Sequence, residues 1–154
     1  MEGVGIGAVR KGAEMRISYV MVAALGLLAF DASAQKACET NYTKTGSFFA
    51  GRTFTTWDVV PNVTPADALK RIQIEGVKSG LKVASVDKDL GMLTLEQNVQ
   101  FNGGQTTLPW NVLVEAEGKG SKITVTKTTP ATYATGEDFQ KKSMCGVIEA
   151  AAPK

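Results

Sequence analysis

The segment 92–117, MLTLEQNVQFNGGQTTLPWNVLVEAE, alternates apolar and polar side chains on both sides of a glycine turn. Leu93, Leu95, Val99 and Phe101 fall on one face, with Thr94, Glu96, Asn98 and Gln100 on the other. Beyond Asn102-Gly103-Gly104, residues Leu108, Trp110, Val112, Val114 and Ala116 share a face, opposite Asn111, Glu115 and Glu117. A strict period of two means one buried and one solvated sheet face. The short Gly-rich turn makes the two strands an antiparallel hairpin.

The same grammar extends outward in both directions. Downstream, Glu117-Gly118-Lys119-Gly120 turns the chain into a strand where Ile123 and Val125 alternate with Lys122, Thr124 and Thr126. Upstream, Leu81–Val86 is a strand, closed by the turn Asp87–Gly91. Before it, Thr64-Pro65-Ala66-Asp67 opens a helix running to about Ser79: Thr64 is the cap, Pro65 suits the first helical position, and Asp67 complements the helix dipole. Leu69, Ile72, Gly76 and Ala68 form its inward stripe, and Gly80 stops it. Phe48–Val60, rich in Phe, Thr, Trp and Val, is a further strand. Gly136–Ala151 is a second helix, with Phe139, Val147 and Ile148 as inward residues and Gly146 weakening its centre. Residues 35–46 are polar and aperiodic and read as a tail.

The order is therefore β-α-β-β-β-β-α. It implies an α+β two-layer sandwich, an antiparallel sheet of about five strands with helices packed on one face.

Further out lies a leader. Arg10, Lys11 and Arg16 precede the apolar run Val20–Phe30, and Ala32-Ser33-Ala34 follows. A basic segment, a short apolar core and an A-x-A site form a secretory signal peptide, cleaved near Ala34-Gln35. Met15 is an alternative start. The run has about half of the roughly 20 residues a membrane span needs, and Gln35-Lys36-Ala37 before Cys38 does not fit a lipoprotein box. The expected organisation is residues 1–34 as leader and 35–154 as one domain, periplasmic or secreted, with no integral membrane segment in the mature chain. Removing 34 of 154 residues leaves 120, enough for one modest core. The leader carries three basic and three acidic residues, so the mature net charge stays at +2, too balanced to point to nucleic acid.

Export gives the two cysteines a meaning. Cys38 and Cys145 are an even pair in an oxidising compartment, which predicts a disulfide. It would pin the tail to the last helix, and closing so long a loop is worth roughly 4–5 kcal/mol in the chain-entropy picture.

Histidine is absent. That removes most triad and acid–base designs and every histidine-containing metal site. No nucleophile elbow, P-loop or dinucleotide fingerprint occurs. Asp87 and Asp89 share a turn and Glu115 and Glu117 share a strand face, both ordinary surface placements. The expectation is a protein that is not an enzyme and uses no cofactor or metal. It would act by binding an unidentified protein or envelope component. Two alternatives stand beside that. One is a small-molecule or lipid carrier whose pocket, between sheet and helices, is lined by Trp57, Phe101, Trp110 and Phe139. The other is a secreted enzyme inhibitor acting through a protruding loop at Gln100–Thr107.

Overall fold

The computed structural model describes residues 36–153. The leader and the alternative start at Met15 lie outside the described residues. The element order is α1 (Ala37–Thr40), β1 (Thr43–Ser47), β2 (Gly51–Pro61), α2 (Pro65–Lys78), β3 (Lys82–Asp87), β4 (Met92–Phe101), β5 (Gly104–Glu117), β6 (Gly120–Thr129) and α3 (Glu137–Glu149).

The six strands form one antiparallel sheet in the order β1-β2-β6-β5-β4-β3. β3 to β6 run as a meander. α2 carries the chain from β2, near one edge, to β3 at the other. Side chains of even number on β2 and β5 and of odd number on β4 and β6 point to the buried face, where Phe54, Leu93, Leu95, Val112, Val114, Ile123 and Val125 build the core. α2 and α3 lie on that face: α2 touches β3, β4 and β5, while α3 touches β2 and β6. This is the α+β sandwich that the alternation predicts.

α2 ends as its sequence dictates. Thr64 Oγ1 accepts from Asp67 N at 3.2 Å, and Ala68, Leu69, Ile72 and Gly76 are its buried residues. At the C-terminus Gly80 takes φ +83 and Leu81 N donates back to Gly76 O at 2.9 Å.

Residues 35–46, expected to be a loop, instead hold the one-turn helix α1 and most of β1, so the sheet has six strands. β1 is an edge strand with every residue exposed. With neither face buried it needs no apolar alternation, and hairpin pairing to β2 alone places it. The hairpin begins at Phe48-Phe49-Ala50, a turn where a strand start was expected. α1 is held from beneath by polar side chains on the core face of β2: Cys38 N donates to Asp58 Oδ2 at 3.1 Å, and Thr56 Oγ1 donates to the Cys38 carbonyl. Cys38 is bonded to Cys145, tying α1 to α3.

On α3, Ile148 is buried and Val147 packs against the core as expected, while Phe139 does not turn inward. Gln140, Met144, Cys145 and Ile148 are its buried residues, whereas Phe139 is 61% exposed. The disulfide aims Cys145 at α1 and β2, and the stripe spaced three and four residues from it turns inward, including the polar Gln140.

Candidate functional site

α2 and α3 do not close on each other along their whole length, and the gap is a groove of about 290 Å³. Ile72, Glu75 and Gly76 of α2, with Ser79 and Leu81 just beyond it, form one wall. Phe139, Ser143, Gly146 and Val147 of α3, with Ala150 just beyond it, form the other. Gln97 of β4 and Trp110 of β5 make the floor. Small residues shape the space. An added Cβ at Gly76 would meet Leu95 Cδ1 at 3.0 Å, so glycine lets α2 lie low on the sheet. An added Cβ at Gly146 would meet nothing within 4 Å, so the wall faces open space at that position.

The floor is built on a buried cation. Lys127 lies on the core face of β6, in register with Phe54 on one side and Trp110 on the other. It is 1% exposed. Its Nζ donates to Gln97 Oε1 at 2.9 Å and stands 4.1 Å from the centre of the Trp110 ring. Trp110 Nε1 donates to the same Gln97 oxygen at 3.3 Å. Among the described residues no carboxylate lies within 4 Å of Lys127. Burial pushes the lysine pKa down to about 8.

Of the four aromatic residues expected to line a pocket, Trp110 and Phe139 meet here and Trp57 and Phe101 do not. Trp57 lies on the outer face of the sheet with Lys122 Nζ 4.9 Å from its ring centre; an odd-numbered residue of β2 points away from the helices. Phe101, at the end of β4, packs edge-on against Tyr133 at 5.5 Å. Gln97 and Lys127 escaped the sequence reading, yet each carried a signal: both are polar residues at an in-phase, inward strand position.

Other candidates are structural. Asp87 Oδ1 accepts from Asp89 N and Leu90 N and closes the β3–β4 turn. Glu115 and Glu117 are exposed. Gln100–Thr107 is no protruding loop: β4 runs to Phe101 and β5 starts at Gly104, with Asn102 and Gly103 at positive φ in a two-residue turn. The most exposed aromatic pair is at another hairpin. Phe48 and Phe49 cap the β1–β2 turn, edge to face at 5.3 Å, with Phe49 80% exposed. Gly46 makes that tight turn possible: it sits at φ +82, and a Cβ there would strike Gly51 O.

No family model and no curated protein matches the sequence. Three solved structures share aspects of the shape. Ara h 8.0201 has a TM-score of 0.46 and 18% identity, over 66% of this chain and 95% of that one. A conserved protein of unknown function from Enterococcus faecalis has a TM-score of 0.47 and 9% identity, over 74% and 76%. A TBP-like protein from Parabacteroides distasonis has a TM-score of 0.42 and 13% identity, over 70% and 95%. These likenesses carry no functional argument.

Proposed function

We propose that this chain is a non-enzymatic binding domain that takes a small apolar or amphipathic molecule in the groove between α2 and α3. The observation that carries the reading is the groove itself: about 290 Å³, near the lower end of the volumes typical of small-molecule sites, with an aromatic floor and mostly apolar walls. A few polar groups, Gln97 above all, would fix orientation. The absence of histidine and the scattering of surface carboxylates support binding without turnover. The leader and the Cys38–Cys145 bond support action in an oxidising, extracytoplasmic compartment. Among the described residues no helix is long and apolar enough to cross a membrane.

The test uses the two tryptophans. Trp57→Phe removes the outer-face indole and leaves Trp110 as the sole reporter in the groove. Titration with an apolar probe such as 4-phenylbutyramide should shift or quench Trp110 emission. Gly146→Leu, which projects a side chain into open space, should abolish that response while leaving the far-UV spectrum intact. An unchanged response in Gly146→Leu would place the binding elsewhere.

A second reading, adhesion to an apolar envelope surface or partner protein, is favoured by Phe48 and Phe49. Two adjacent aromatic side chains displayed at a hairpin tip add little to the core, and such residues are common at contact surfaces.

A further inference from the structure

The groove floor selects for charge as well as for apolar surface. Lys127 is 1% exposed, and its Nζ has one hydrogen-bond acceptor among the described residues, Gln97 Oε1 at 2.9 Å. A buried ammonium without a carboxylate partner is unfavourable, and a methionine of similar length would fill the position without the charge. The charge touches both residues that floor the groove, Gln97 through its oxygen and Trp110 through its ring. The Gln97 oxygen is held by both Lys127 Nζ and Trp110 Nε1. That leaves the Gln97 Nε2 amide as the donor available to a ligand. An amide whose oxygen accepts from a cation is a stronger donor through its nitrogen.

Resting on the groove as the binding site, we propose that its ligand is an amphipathic carboxylate, whose charged end docks at Gln97 beside the buried Lys127 ammonium. The apolar body lies between Ile72, Leu81, Val147 and Phe139.

The test compares two probes of the same shape, 4-phenylbutyrate and 4-phenylbutyramide, by isothermal titration calorimetry on the isolated protein with its N-terminus defined by intact mass. The carboxylate should bind at least about tenfold more tightly than the amide, the usual consequence of a charge-assisted contact. Lys127→Met should erase that preference and leave the amide affinity within about twofold. Gln97→Leu, which keeps the ammonium but removes the amide donor, should lower carboxylate affinity, and it serves as the second variant if Lys127→Met fails to fold. Equal affinities for the two probes, both lost in Gly146→Leu, would overturn the carboxylate preference and leave the groove standing as a site. Binding of neither probe at millimolar concentration would overturn both readings.

Discussion

A lysine ammonium buried without a carboxylate partner should weaken the native state relative to an apolar side chain of the same length. Burial pushes the Lys127 pKa from 10.5 down to about 8. Below pH 8 native and unfolded chains both hold the proton, and the native state bears the whole penalty. Between about pH 8 and 10.5 the unfolded chain binds more protons than the native one, so stability rises with pH. Tyr42 acts in the opposite sense. Burial first, and the charge of Glu137 second, push its pKa from 10.0 up to about 12. Above pH 10 the unfolded chain loses a proton that the native chain keeps, and stability falls. Urea unfolding across this range should therefore show a maximum near pH 10. Lys127→Met should flatten the rising limb and add on the order of 2–3 kcal/mol at pH 7; a variant less stable than the parent would contradict the assignment. At this scale the sequence was only partly legible. Trp110 and Phe139 declared themselves as aromatic residues at expected inward positions of a strand and a helix. Lys127 and Gln97 did not, because lysine and glutamine in a strand are ordinarily solvated, and only their phase within Ile123-Val125-Lys127 and Leu95-Gln97-Val99 betrays them.

Elements with one buried face were readable, and elements without one were not. β4, β5 and β6 follow their alternation, and α2 follows its caps and stripe. β1 shows no pattern because both its faces are exposed. α3 is read correctly at Ile148 and wrongly at Phe139, because Met144, Cys145 and Gln140 share the buried stripe and leave Phe139 beside it. The β1–β2 hairpin carries its own prediction. Phe48→Ser with Phe49→Ser removes exposed aromatic surface from a turn whose backbone is set by Gly46 and braced by Thr132 N donating to Phe48 O at 2.6 Å. The double variant should unfold within about 0.5 kcal/mol of the parent, yet lose co-sedimentation with phosphatidylcholine vesicles. Charges near the tip are of both signs, Lys44 being paired with Glu137, so parental vesicle binding should resist added salt. Undiminished co-sedimentation of the double variant would remove the hairpin from any envelope contact.

For the whole molecule, the fold class follows from strand order and alternation, while the groove does not. A groove depends on how far two helices stand apart, and that separation arises from tertiary packing, such as that of Gly76 on Leu95 and the tie of α3 through the Cys38–Cys145 bond. The bond spans 107 residues of sequence with Cα atoms 5.7 Å apart. Replacing both cysteines by alanine should lower the unfolding free energy by roughly 3–5 kcal/mol in chemical denaturation, with the groove's probe affinity falling as α3 loosens against α1. A change below about 1 kcal/mol would mean that the unfolded chain is little constrained by the bond.

The same covalent tie sets the molecule's response to force. Tension applied from outside the Cys38–Cys145 pair enters at one cysteine and leaves at the other, so the load bypasses the sheet. Only the segments outside that pair can be drawn out while the bond lasts. Once it is reduced, the enclosed chain becomes extensible by roughly 370 Å, its 107-residue span at about 3.5 Å per residue. A thiol reductant would thus convert an inextensible body into one that yields under tension, and the α2 wall and the floor of the groove lie in the part that unravels.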